Sequence, residues 1–174
     1  MLLGEVNGSF LRRLYNSYVN RYGGNGKMVM LTFVWAPVVG KMLGATPDGR
    51  HAGVPVAQSV TPQSMSMTKG VTAAMNSCTK LPFELFSGGA STMWDLDGSW
   101  ASTEVIQALF TAFFAKGGQI FQGNVTDAET LIKAQEKPKE YPNLIVRVGG
   151  YSARFIWLDK GLQNDIINRV RHSS

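Results

Sequence analysis

The sequence predicts an α/β domain, and three observations carry that expectation. From Ser87 onward, helical and extended patterns alternate in the order helix–strand–helix–strand–turn–strand–helix. Paired glycines, Gly117-Gly118 and Gly149-Gly150, punctuate those patterns. The 174 residues are 44% apolar, enough for one ordinary domain with a sizeable core.

Taken in order, residues 5–22 place Phe10, Leu11, Leu14, Tyr18, Val19 and Tyr22 on one helical face, and Gly23, Gly24 and Gly26 end it. Met28 to Trp35 is β-branched, aromatic and apolar, which predicts a strand buried on both faces. Residues 40–70 are rich in Gly, Pro, Ser and Thr without a sustained period, and predict a long ordered loop. Val71 to Cys78 fits a short helix or a strand. Ser102 is placed to cap a helix whose Ile106, Leu109, Phe110, Phe113 and Phe114 recur at helical spacing. Gln119 to Val125 reads as a strand. Thr126-Asp127-Ala128-Glu129 reads as a capping box, opening a helix that stops before Pro138. Leu144 to Val148 and Ala153 to Leu158 are extended runs joined by Gly149-Gly150. Asp159 caps a last helix with Leu162, Ile166, Ile167 and Val170 inward.

Composition excludes several functional classes. Seventeen Lys and Arg against twelve Asp and Glu leave a net charge of +5, spread along the chain instead of gathered into a nucleic-acid or membrane patch. The single Cys78 excludes a disulfide framework, and His51 and His172 lack metal-site spacing. Met1-Leu2-Leu3 followed by Gly4-Glu5 is no signal-peptide core, and the longest apolar run, Met28 to Gly40, is broken by Pro37. A soluble, cytoplasmic chain in a reducing setting is expected. No Walker-type loop, dinucleotide fingerprint or nucleophile elbow is present, and Gly23-Gly24-Asn25-Gly26 precedes a strand where a phosphate loop would follow one. Trp94, Asp95 and Asp97 either contact a partner or form a turn around one core Trp.

One segment stands apart: Arg147-Val148-Gly149-Gly150-Tyr151-Ser152-Ala153-Arg154-Phe155, two apolar runs joined by adjacent glycines. Such glycines permit positive φ and close backbone approach. The run RVGGYSARF resembles the radical motif of the glycyl radical enzymes, a superfamily of lyases, dehydratases and acyltransferases that includes pyruvate formate-lyase. Gly44-Ala45-Thr46-Pro47-Asp48-Gly49-Arg50, Gly117-Gly118-Gln119…Gln122-Gly123-Asn124, Ala134-Gln135 with Tyr141-Pro142, and Leu162-Gln163 resemble further family segments in the family's order. Coverage runs from about Val34 to the C-terminus.

The resemblance implies a fold made of the tail of the barrel-type domain over residues 1–50 and a glycine-radical domain over 51–174. It implies a post-translational glycyl radical on Gly150, installed by a radical-AdoMet activase, with no bound metal. A glycine suits this role because an α-carbon without Cβ can flatten without a clash, letting the electron spread onto both flanking amides. The apolar runs Leu144–Val148 and Phe155–Trp157 are expected to shelter the loop. Arg147 and Arg154 either hold the turn or reach solvent. The family's catalytic cysteine lies in a Gly-Cys-x-Glu loop, which is missing here, and Cys78 is expected to be an ordinary core residue. The implied partners are therefore a larger subunit carrying that cysteine, the activase and a small-molecule substrate, with no nucleic acid and no membrane. The chain then acts only as part of a hetero-oligomeric, anaerobic enzyme. The alternatives are an autonomous spare-part cofactor and a non-catalytic interaction module. Ser87 to Asp97 departs from the family's usual LNxKF-like segment, so the resemblance names no substrate.

Overall fold

In the computed structural model, the described residues are 13, 19–24, 29–31, 34–62, 67–100 and 102–171. Most of the helix expected over 5–22 lies outside them. Its expected end does not hold: residues 21 and 22 form a turn, with the Asn20 side chain accepting from the backbone N–H groups of Tyr22 and Gly24, both at 2.9 Å. A side chain that satisfies its own local backbone competes with a helical ladder.

Of the strand expected over Met28–Trp35, residues 28, 32 and 33 lie outside the described ones, and the rest is corrected. Met30 makes one parallel bridge to Ala90, but Val29 and Leu31 beside it are exposed, and Trp35 already precedes a helix. That helix, α1 (Ala36–Met42), begins with Pro37 in its first turn, where the missing N–H costs nothing and the fixed φ is already helical. Residues 43–62 and 67–69 carry no helix or strand, in line with the long loop expected there. Val71 to Cys78 resolves as helix: α2 is Gly70–Cys78, burying Val71, Ala74, Met75 and Cys78 on one face.

Strand β1 (Ser91–Leu96) is buried along its whole length. Helix α3 (Thr103–Ala115) follows, with the Ser102 hydroxyl accepting from the N–H of Val105 at 3.2 Å as a cap. It leads to β2 (Ile120–Val125), which pairs parallel with β1 from Ser91 opposite Ile120 to Leu96 opposite Val125. On the other side of β1, the Thr61 hydroxyl accepts from the N–H of Met93 at 2.6 Å, so the long loop closes that edge.

Helix α4 (Ala128–Glu136) is capped by Asp127, one residue later than the capping box suggested. The Asp127 carboxylate takes both the N–H and the hydroxyl of Thr130, at 2.6 and 2.7 Å. The carboxylate thus offers a separate oxygen to each donor. Strands β3 (Ile145–Arg147) and β4 (Ser152–Arg154) form an antiparallel hairpin, Ile145 opposite Arg154 and Arg147 opposite Ser152. The run expected to stay extended to Leu158 instead tightens into a 3-10 turn at Phe155–Trp157. The Gln163 side chain donates to the Phe155 carbonyl at 3.0 Å and fixes that turn. Helix α5 (Lys160–Arg171) closes the chain, with Asp159 accepting from the N–H groups of Gly161 and Leu162 at its start.

Two principal cores result. Leu131 and Ala134 of α4, Val146, Val148 and Phe155 of the hairpin, and Ile166, Ile167 and Val170 of α5 form one. The α2 face, Trp94 and Leu96 of β1 and Leu109 of α3 form the other. The glycine hairpin sits on the first core and is tied to the β1–β2 pair by side-chain hydrogen bonds.

Candidate functional site

The hairpin loop Val148-Gly149-Gly150-Tyr151 closes through a 2.9 Å hydrogen bond from the Val148 N–H to the Tyr151 carbonyl. Gly150 adopts φ +83°, a left-handed conformation costly for any residue with a Cβ. A Cβ built there meets nothing within 4 Å, so backbone conformation, not space, selects glycine. Val146, Val148, Gly149 and Phe155 are buried beneath the loop. The expected shelter is nonetheless one-sided: Gly150 is exposed, as are Ile145 (63%) and Trp157 (71%). Hairpin alternation sends every second side chain away from the core, so two short strands can cover only one face of their turn.

Three polar side chains hold the loop in place. The Gln122 side-chain oxygen accepts from the Gly150 N–H at 2.9 Å and from Arg147 Nε at 2.8 Å. Asn124 brackets the Arg147 peptide groups, accepting from its N–H at 2.6 Å and donating to its carbonyl at 3.0 Å. Arg169 donates to the Val148 carbonyl at 3.3 Å. Arg147 thus holds the turn, whereas Arg154 lies over the Trp157 ring at 4.6 Å and does not.

Behind these anchors lies a buried charge cluster. Asp95 of β1 accepts from Asn124 Nδ2 at 2.6 Å and pairs with Arg169 Nε at 3.1 Å. Asp165 approaches the same Nε at 3.5 Å. Burial pushes the Asp95 carboxyl above its ordinary range, against the pull of Arg169 and Asn124. Burial also raises Asp165, opposed by Arg169 and reinforced by repulsion from Asp95. Two carboxylates share one guanidinium, whose pull on both falls short of the cost of burying them.

Gln122, Asn124 and Arg169 were not singled out for these roles by sequence reasoning, although the first two lie in the GGQ…QxN segment. The signal was available. Two amides at i and i+2 lie on one face of a strand, and Arg169 interrupts an apolar helical face between Ile167 and Val170. The same segment's Gln119 accepts from the Ala90 N–H at 2.8 Å and donates to the Phe83 carbonyl at 2.7 Å. Trp94 is the expected core Trp and Asp97 caps a turn at Ser99, but Asp95 lies in β1 and not in that turn.

The GATPDGR segment folds around its own arginine. Arg50, a buried cation, donates to the carbonyls of Gly44, His51 and Val54, the last at 2.8 Å. Thr46 hydrogen-bonds Asp48 and keeps its carboxyl below the usual range. Cys78 is buried, donates to the Val60 carbonyl at 3.0 Å, and burial pushes its thiol up to about 12. A thiol in that setting is inert at neutral pH. Among the described residues no group of three or more His, Cys, Asp or Glu could hold a metal ion, and no helix is long and apolar enough to cross a membrane.

Residues 56–156 match the Glycine radical family model. The B12-independent glycerol dehydratase from Clostridium butyricum matches with 38% identity and a TM-score of 0.81, over 92% of this chain and 21% of that one. A Roseburia inulinivorans protein described for 1,2-propanediol dehydration matches with 36% identity and a TM-score of 0.83, over 95% of this chain and 20% of that one. Hydroxyproline dehydratase from Clostridioides difficile matches with 30% identity and a TM-score of 0.82, over 96% of this chain and 22% of that one. The chain spans about a fifth of the length of these structures. With its glycine hairpin and this coverage, the chain belongs to the Glycine radical family and is homologous to the C-terminal part of glycyl radical dehydratases.

Proposed function

We propose that this chain is the radical-storing C-terminal part of a glycyl radical enzyme of the dehydratase kind, with Gly150 as the residue that stores the electron. One observation carries the proposal: Gly150 sits at the tip of a hairpin fixed on its inner side by Gln122, Asn124 and Arg169, and open on its outer side. An anchored, Cβ-free α-carbon with one open face can flatten in place and be approached by another molecule. When installed by a radical-AdoMet activase, a Gly150 radical supplies hydrogen-atom abstraction from a cysteine thiol of a larger chain.

The residues present fit that group. Gln122 holds the amide on the N-terminal side of the α-carbon, Val148 and Tyr151 close the loop, and the apolar floor of Val146, Val148 and Phe155 keeps water from its inner face. The open face is where we place the larger, cysteine-bearing subunit, which also completes the shelter from dioxygen in an anaerobic cytoplasm. Cys78 is unsuited to the thiol's part, because it packs in the core of α2, β1 and α3, not in the one beneath the hairpin, and donates its S–H to the Val60 carbonyl. Residues 1–50 belong, in this proposal, to the tail of the barrel domain and 51–174 to the glycine-radical domain. Dehydration is the favoured reaction because three of the similar structures carry that activity in their names. The substrate would be chosen by a cavity in the larger chain.

Anaerobic incubation of the chain with an activase and AdoMet, followed by EPR, tests the proposal. A glycine-centred doublet in the wild type and none in Gly150→Ala is expected. A doublet that survives in Gly150→Ala, or none in either protein, overturns it.

A further inference from the structure

The Gln122 side-chain oxygen lies between two groups that can only donate, the Gly150 N–H and Arg147 Nε–H. That settles the amide's orientation: oxygen toward the loop, nitrogen toward the Ser91 hydroxyl at 2.5 Å. Gln122 therefore ties three pieces of the molecule together, namely β1 through Ser91, the arginine that begins the motif, and the amide attached to the candidate radical carbon.

We infer that Gln122 is a positioning residue that fixes the Gly149–Gly150 peptide plane and so sets the conformation in which the Gly150 α-carbon holds an electron. This rests on the proposal that Gly150 is the radical site. At φ +83° the plane of the Gly150 amide stands nearly at right angles to the N–Cα–C plane of that residue. A flattened α-carbon gains from its amide nitrogen only as those planes turn toward one another, because the nitrogen lone pair must overlap the half-filled orbital. With the N–H pinned by Gln122, the turning falls on the side of the loop leading to Tyr151. The overlap reached, and with it the share of spin left on the α-carbon, then depends on one side-chain hydrogen bond.

Two substitutions separate positioning from mere structural support. Gln122→Leu keeps the approximate shape and removes the acceptor. Gln122→Glu keeps an acceptor for both donors and leaves its second oxygen to receive the Ser91 hydroxyl proton. In the full, unactivated chain, amide hydrogen exchange at Gly150 should accelerate about tenfold in the Leu variant and stay at or below the wild-type rate in the Glu variant. After activation, the doublet of the Leu variant should broaden or change its α-proton splitting, while the Glu variant keeps a resolved doublet like the wild type's. Unchanged Gly150 exchange in the Leu variant, or one identical line shape in all three proteins, overturns the inference. Should the Leu variant fail to fold, loss of the wild-type line shape in a folded Glu variant overturns it equally. Absence of a doublet in the wild type would instead sink the proposal for Gly150, while the exchange measurement still decides whether Gln122 anchors that amide.

Discussion

At Gly150 the backbone demands a left-handed conformation, and the radical role proposed above adds a second demand, an α-carbon without a side chain. Only the first is a matter of stability. Since a Cβ there meets open space, Gly150→Ala should lose about 1–2 kcal/mol from the left-handed backbone alone, readable as a lower urea midpoint with an unchanged slope. A larger loss would mean that the loop is packed more tightly than its exposure implies. Asn124 makes the opposite case. Its amide brackets the Arg147 peptide and meets buried Asp95, so Asn124→Leu strands several buried groups at once. A loss of about 3 kcal/mol is expected, and a loss below about 1 kcal/mol would show that water replaces the amide without penalty.

At the scale of elements, the glycine within β2 is set by its neighbour. A Cβ on Gly123 would lie 2.1 Å from the Trp94 carbonyl oxygen of the paired strand. Backbone cannot give way as a flexible side-chain tip can, so Gly123→Ala should destabilise by about 2–3 kcal/mol and disturb the β1–β2 pair from which Gln122 and Asn124 project. Thermal unfolding followed by the near-UV aromatic signal would show it, and a wild-type midpoint would refute the close approach. Much of this layer was legible in the sequence. Helix α3 with its Ser102 cap, the stop at Gly117-Gly118, and the inward face of Ile166, Ile167 and Val170 follow from local periodicity and capping chemistry. The strand expected over Met28–Trp35 failed for a cause of its own. Val29, Leu31 and Trp35 read as core because they are apolar, yet burial is a property of what packs against a residue, and these are exposed. The candidate site divides in the same way. The glycine turn at Gly149-Gly150 was legible from the sequence, while Gln122, Asn124 and Arg169 become anchors only when β2, the hairpin and α5 meet in space.

Over the whole molecule, the Asp95–Arg169–Asp165 cluster joins β1 to α5 behind the loop and places a cost there that depends on pH. Both carboxyls are held above their ordinary value of 3.8 by burial. Between that value and their raised native ones, the folded chain binds more protons than the unfolded chain, so stability falls as pH rises through the window. Asp48, Asp97 and Asp127 act on the other side. Hydrogen bonds depress their pKa values, so their contribution is present above 3.8 and lost as pH falls below it. The two effects run in opposite directions on either side of 3.8, and the buried pair contributes a falling limb above it. Asp165→Asn removes one of its two negative charges and leaves Asp95 paired with Arg169 at 3.1 Å. Urea midpoints compared at about pH 4.5 and about pH 8 should drop less in this variant than in the wild type, because the remaining carboxylate no longer faces a like charge. An equal drop in both proteins would mean that the shared guanidinium already neutralises the cluster. The Val148 carbonyl, held by that same arginine at 3.3 Å, would then be fastened equally well at either pH.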